Sequence, residues 1–161
     1  MIGSDAVDGG EVARTHPALT DAQTGLANRL HFDLVYNYLF DWGARGLPFV
    51  VMLVTVGLDA TPTSEETRRV GQHIRGVMRT SDLVSHVGHG RYVVLLLGAN
   101  APGALIAADR VESAIADDVS GPISFGMATY HRDVASAETL LRSAETALLA
   151  AQAMGGGIEF A

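Results

Sequence analysis

Apolar positions recur along this chain with two different periods, and the changes from one to the other mark out its elements. From Leu30 to Trp42 the apolar residues Leu30, Leu34, Val35, Tyr38, Leu39 and Trp42 fall at helical spacing, and Gly43 and Gly46 mark the end. Pro48 to Val56 is a continuous valine-rich run, the pattern of a strand buried on both faces. Thr63-Ser64-Glu65-Glu66 has the form of a capping box. It opens a helix running to about Met78, with Val70, Ile74 and Val77 on the inner side. Two short apolar strands follow, Leu83 to Val87 and Tyr92 to Leu97, joined at Gly88-His89-Gly90, a tight turn whose glycines tolerate positive φ. Gly98 to Gly103 reads as a loop, and Ala104 to Ala116 as a helix with Leu105, Ala108, Val111 and Ile115 as its stripe. Pro122 to Tyr130 reads as a strand containing Gly126. Ser136 to Met154 reads as an alanine- and leucine-rich helix, stopped by Gly155-Gly156-Gly157. Ile158 to Phe160 has room for a short last strand.

The core order is strand, helix, strand, strand, helix, strand, with a helix added at each end. This is an α+β (α/β) chain on the ferredoxin-like split βαβ plan, a mostly antiparallel central sheet flanked by helices. Unrelated functions share the plan, so function has to be read from a site. Residues 1–16, rich in Gly, Asp and small side chains, read as a flexible lead-in or linker, and residues 17–161 as one domain. There is no internal repeat and no low-complexity segment.

Composition narrows the classes. The chain has 161 residues, 48% of them hydrophobic, enough for one domain with a full core. Its longest apolar run, Phe49 to Leu58, falls short of the roughly 18–20 residues a membrane span needs. Asp5, Asp8 and Glu11 do not fit a secretory signal. The absence of cysteine excludes disulfides, zinc–thiolate sites and thiol catalysis, and suits a cytoplasmic protein. Net charge is −7 with no basic stripe, which argues against nucleic acid as a partner. An anionic small ligand would depend on local arginines acting against that overall field.

Candidate chemistry concentrates around the hairpin. Arg79 and Asp82 lie three residues apart where a helix hands over to the first hairpin strand. On their own they read as a helix-terminal cation and a strand-entry cap paired with each other. His86 and His89 straddle the turn without a third ligand and read as ordinary polar residues, so no metal site is expected. Met52, Met78, Met127 and Met154 read as core fillers. Arg68, Arg69 and Arg75 read as a solvated helix face, and Asp21, Thr24 and Arg29 as braces of the opening turn.

Three stretches together resemble the GGDEF domains of the diguanylate cyclase family. Asp21-Ala22-Gln23-Thr24-Gly25-Leu26-Ala27-Asn28-Arg29 is similar to the family's D-x-L-T-G-L-x-N-R opening, with Gln23 replacing a leucine. Ser124-Phe125-Gly126 matches an S-x-G on the later strand, and Ala144-Glu145-Thr146-Ala147-Leu148 echoes an A-D-x-A-L helix. The resemblance runs from about Ala18 to Phe160. It implies the nucleotidyl cyclase-like form of the fold and a bacterial second-messenger context.

The signature itself departs from the family. Where GGDEF stands, this chain has Gly88-His89-Gly90-Arg91-Tyr92. Active members hold two divalent metals with that hairpin and a first-strand Asp. Here Gly90 and Arg91 replace the acidic pair, and Thr55 stands at the Asp position. The guanine-recognising loop is shortened at Leu58 to Pro62, and the phosphate-binding A-K-x-x-G-R has become Ala151-Gln152-Ala153-Met154-Gly155-Gly156. The resemblance therefore implies a domain with no catalytic residues, no catalytic Mg²⁺ and no other cofactor. What it retains is the inhibitory-type R-x-x-D, Arg79-Thr80-Ser81-Asp82, five residues before Gly88, with Arg110 of Ala108-Asp109-Arg110 at the place of a further arginine. By resemblance these three residues bind the product, cyclic di-GMP. Arginine forks suit a guanine edge or a phosphate, and a carboxylate suits the guanine N–H donors. The expected function is an inactive GGDEF domain acting as a cyclic di-GMP receptor in signal transduction. The alternative is a nucleotide-independent interaction module that forms a homodimer or docks a signalling protein. Residual GTP binding without turnover is a third reading, opposed by the shortened loop and Gln152.

Overall fold

The computed structural model describes residues 16–57 and 61–161. Residues 1–15 of the expected 1–16 lead-in and part of the shortened loop therefore lie outside the described residues. Helices α1 (Arg29–Gly43), α2 (Ser64–Val77), α3 (Ala101–Ile115) and α4 (Ala137–Ala153) alternate with strands β1 (Phe49–Val56), β2 (Leu83–His86), β3 (Arg91–Leu97), β4 (Ile123–Thr129) and β5 (Gly157–Phe160). One sheet takes them in the order β2-β3-β1-β4-β5. The first four strands pair antiparallel, and β5 adds on parallel to β4. This is the expected split βαβ plan with one strand appended.

Each helix begins at a side-chain cap. Asn28, Thr63, Asn100 and Ser136 accept from the backbone N–H three residues on, in turn His31, Glu66, Gly103 and Thr139. Such caps satisfy donors that a helix start leaves unpaired. The Asn100 cap, with Pro102 in the first turn, starts α3 at Ala101, three residues earlier than the sequence suggested.

The sheet is covered on both faces. On one, Val50, Met52 and Val54 of β1 meet Val70 and Ile74 of α2 and Ala104, Ala108 and Val111 of α3. On the other, Val51 and Leu53 meet Phe32, Tyr36 and Leu39 of α1 and Leu140, Ala144 and Leu148 of α4. Every residue of β1 is buried, which accounts for its unbroken apolar run. Each large apolar side chain so buried stabilises by roughly 1.5–3 kcal/mol. Gly126 allows α4 to approach β4 closely, since a Cβ there would lie 2.3 Å from Leu148 N and 2.4 Å from Ala144 O.

Three side-chain expectations change in three dimensions. Helix α1 buries Phe32, Tyr36, Leu39 and Gly43, whereas Leu30, Leu34, Tyr38 and Trp42 of the expected stripe are exposed. Leu105 is exposed, with Ala104 taking its place in the α3 core stripe. Met154 is exposed beyond the end of α4, while Met52 and Met127 are fully buried and Met78 packs at the core margin. No helix among the described residues is long and apolar enough to cross a membrane.

Candidate ligand-binding site

Helix α2 ends at Val77, and the next five residues turn the chain into β2. Asp82 governs that turn. Its Oδ2 accepts from Arg79 N at 3.0 Å and from Arg79 Nε at 3.4 Å, and its Oδ1 from Arg79 Nη2 at 3.4 Å and Leu97 N at 3.2 Å. One carboxylate thus ties the α2–β2 turn to the far end of β3. Arg79 Nη2 donates in turn to Leu97 O at 2.7 Å. The Asp82 side chain is 3% exposed and that of Arg79 60%, so a buried anion holds an accessible cation. Both Asp82 oxygens already have protein donors. In this arrangement Asp82 positions Arg79.

Arg75 also departs from the sequence reading. It is half-buried and donates from Nη1 to Asp82 O at 2.7 Å and from Nη2 to Arg79 O, clamping both ends of the turn. Two backbone carbonyls are its partners, and sequence carries no signal for such contacts. Arg68 and Arg69 remain surface residues, paired with Glu65 and Asp118.

The structure brings Arg110 to the same place. Arg79, Asp82 and Arg110 all line a groove of about 280 Å³ between the α2–β2 turn, the end of β3 and α3, together with Met78, Leu96 and Ala107. A shallower hollow of about 490 Å³ adjoins it, lined by Val77, Ile106, Asp109, Arg110 and Ser113. Arg110 is exposed and forms no ion pair among the described residues. The groove accordingly offers two cations, apolar walls and, at Gly98 and Ala99, a backbone bend, the lining expected for a planar anionic ligand.

The turn end of the hairpin is built differently. Gly88, His89 and Gly90 all have positive φ, 91°, 52° and 69°. Gly90 O accepts from Val56 N at 3.1 Å, and a Cβ at Gly90 would meet Val56 O at 2.9 Å. Strand register sets Arg91 opposite Thr55 and Thr55 opposite Ser124, across β3, β1 and β4. Gln152 of α4 donates from Nε2 to Thr55 Oγ1 at 3.1 Å, and Ser124 Oγ is buried without a partner. Among the described residues, hydroxyls and an amide gather here, with Arg91 next to them in register. That donor set does not suit a hard divalent cation, which takes carboxylate and carbonyl oxygens.

Tyr92 points to the opposite face and donates to Thr67 O at 2.8 Å. Burial, reinforced by Asp21 and Glu66, pushes its phenol well above the ordinary range. His86, buried against the Tyr92 ring, is 3.0 Å through Nδ1 from Asp21 Oδ2, which also accepts from Thr24 N and Oγ1. Asp21 and Thr24 do brace the opening turn, whereas Arg29 pairs with Asp33 on the surface of α1. Among the described residues no group of three or more His, Cys, Asp and Glu side chains is placed to hold a metal ion.

No protein-family model matches the chain, and no curated protein matches it. Solved structures do. The YfiN (TpbB) GGDEF domain of Pseudomonas aeruginosa superposes with a TM-score of 0.76 at 24% identity, covering 88% of this chain and 94% of that one. The DgcB GGDEF domain of Caulobacter crescentus, solved in complex with cyclic di-GMP, gives a TM-score of 0.79 at 16% identity over 90% of this chain and 96% of its own. The cyclase SiaD of P. aeruginosa, solved with its activator SiaC, gives 0.78 at 18% identity over 89% of this chain and 62% of its own. These likenesses are likenesses of fold.

Proposed function

We propose that this chain, which has the GGDEF-domain fold, is a receptor for cyclic di-GMP without cyclase activity. The observation that carries the reading is the convergence of Arg79 and Arg110 on one groove, with Arg79 held in place by buried Asp82. A guanidinium presents a planar fork to a guanine edge or a phosphate and stacks on a base, so two of them suit a cyclic dinucleotide. Asp82, engaged by four donors, contributes by positioning. The cyclic di-GMP bound to the DgcB domain supports the choice of ligand.

Loss of catalysis is supported by the other end of the hairpin. Arg91 sits opposite Thr55 where the resemblance puts metal-binding carboxylates, and Gly90 packs against the β1 backbone too closely for a side chain. Among the described residues, neither nucleophile activation nor charge neutralisation by metal has carboxylate ligands here.

Calorimetric titration with cyclic di-GMP tests the receptor reading. Binding at about 1 μM or tighter, roughly −8 kcal/mol, is expected, with loss of heat in Arg79→Glu and in Arg110→Glu. Absence of heat from the unaltered domain, or undiminished binding in both variants, overturns it. Incubation with GTP and Mg²⁺ or Mn²⁺ is expected to give no cyclic di-GMP. Product above a no-enzyme control overturns the loss of catalysis.

A protein-docking role is favoured separately by one observation, the exposed apolar row on α1.

A further inference from the structure

The turn between α2 and β2 is a wall with two sides. One side, with Met78, Arg79 and Asp82, lines the groove shared with Arg110. The other, with Thr80, Ser81 and Asp82, lines a second cavity of about 330 Å³ that the nucleotide reading does not use. Its walls are largely apolar, with Leu26, Ala27 and Val35 joined by Leu83, Val84 and Leu97. The polar lining residues are Arg75, Thr80 and Ser81 beside the turn and His31 in the first turn of α1. His31 Nδ1 is buried with no hydrogen-bond partner among the described residues.

Arg75 belongs to both sides. It lines the cavity, and it donates to Asp82 O at 2.7 Å and to Arg79 O. Those carbonyls belong to the two residues whose side chains pair at the groove, Asp82 Oδ2 accepting from Arg79 Nε at 3.4 Å. A group that draws Arg75 away therefore acts on the residues that present Arg79 to a ligand.

We propose that this cavity is an allosteric site for a small carboxylate on an apolar body, and that filling it weakens the groove of Arg79 and Arg110. Three observations select that chemistry. The volume lies at the lower end for small-molecule sites, which fits a ring with a short chain and excludes a dinucleotide. The apolar lining makes burial of a hydrocarbon body the main attraction. The charge is supplied by Arg75, and a guanidinium bonds a carboxylate more strongly than it bonds a backbone carbonyl. Asp82 is the one carboxylate among the lining residues. It is engaged by Arg79 and by the backbone N–H groups of Arg79 and Leu97, so it does not cancel Arg75. A carboxylate on Arg75 takes donors from Asp82 O and Arg79 O, which loosens the turn and leaves Arg79 less ordered. Linkage makes the antagonism mutual. Occupation of the cavity stands on its own, whereas its effect on the nucleotide rests on the receptor reading.

The test uses 3-phenylpropionate as the probe and 3-phenylpropionamide as its neutral control, followed by backbone amide NMR shifts of the isotopically labelled chain. Saturable shifts at Leu26, Thr80, Ser81 and Leu83 are expected, with a Kd of about 1 mM or tighter for so small a molecule. The Arg79 and Leu97 amides, both bonded to Asp82, are expected to shift with them, which reads the coupling without nucleotide. The neutral control is expected to bind about tenfold more weakly or worse. Val35→Phe, which fills the cavity from α1, is expected to lose the probe and keep cyclic di-GMP. Saturating probe is expected to lower the affinity of the unaltered chain for cyclic di-GMP about tenfold, and that of Val35→Phe not at all.

Absence of saturable shifts at these amides overturns the proposal. Equal affinity for the neutral control, or undiminished probe binding in Val35→Phe, overturns it as well. The control needs no variant, so it decides the matter even where Val35→Phe fails to fold. Probe binding that leaves the Arg79 and Leu97 amides unmoved, or the nucleotide affinity unchanged, overturns the coupling. Absence of cyclic di-GMP binding from the unaltered chain refutes the receptor reading alone, and the probe titration with the Arg79 and Leu97 shifts still decides this one.

Discussion

The two ends of the β2–β3 hairpin make opposite use of similar material. At the open end, where β2 begins and β3 finishes, a buried carboxylate collects four donors and holds an exposed guanidinium beside a groove. At the turn end, three successive positive-φ residues fold the chain against β1, and Arg91 stands in register with Thr55. One end is organised and open; the other is closed by its own backbone. The difference shows that the charged step upstream of the signature is a structural unit in its own right, maintained by contacts that owe nothing to catalytic chemistry.

The contrast is broken most strongly by Asp82→Ala. Removing the carboxylate leaves Arg79 N and Leu97 N without partners, so urea unfolding is expected to show a loss of about 2–4 kcal/mol. A loss below about 1 kcal/mol shows that the turn is not organised by Asp82. Next comes Gly90→Asp, which returns an acid to the signature. The Cβ contact with Val56 O and the φ of 69° predict destabilisation by roughly 1–3 kcal/mol and no recovery of cyclase activity. Recovered turnover with GTP and Mg²⁺ counts directly against the closed-end description.

Alkaline stability sharpens the comparison further. The folded state raises the pKa of Tyr92, so it keeps a proton that the unfolded chain releases above about pH 10. Stability is therefore fully present below that pH and falls as pH climbs past it. Burial raises the pKa of Tyr36 in the same direction. In Tyr92→Phe the decline of the urea midpoint between about pH 9 and 11 is expected to flatten without disappearing, because Tyr36 remains. An unchanged slope removes Tyr92 from the account. The smallest effect belongs to His89→Gly, which relieves a non-glycine positive φ and is expected to raise stability by up to about 1 kcal/mol. Loss of stability there means that the imidazole makes a contact that offsets the backbone cost.

Much of this molecule was legible in its residues, and particular elements show why. The valine run of β1 announced burial on both faces, because no alternation is needed when both sides of a strand are covered. Thr63 and Ser136 marked their helices, since a cap is a local hydrogen bond made within three residues. The glycines of the signature turn took the φ values their positions required. The family resemblance singled out Arg79, Asp82 and Arg110; that the three line one groove is a fact of the fold that their sequence positions did not carry.

Order, type and local punctuation of the elements were thus determined by sequence, because helical and strand periods and caps act over a few residues. Tertiary structure alone decided between equals. On α1 two apolar rows satisfy the same period, and only the fit of Phe32, Tyr36 and Leu39 against β1, β3 and α4 chose which one to bury. Asp82 carries the same charge whether it caps a turn or reads a guanine. Its partner Leu97 N, fifteen residues away, is what ties it to the turn and to β3. Arg75 was drawn from an apparently solvated face to two carbonyls for the same reason. Backbone groups look alike in every sequence, and only their placement in space distinguishes the ones that need a partner.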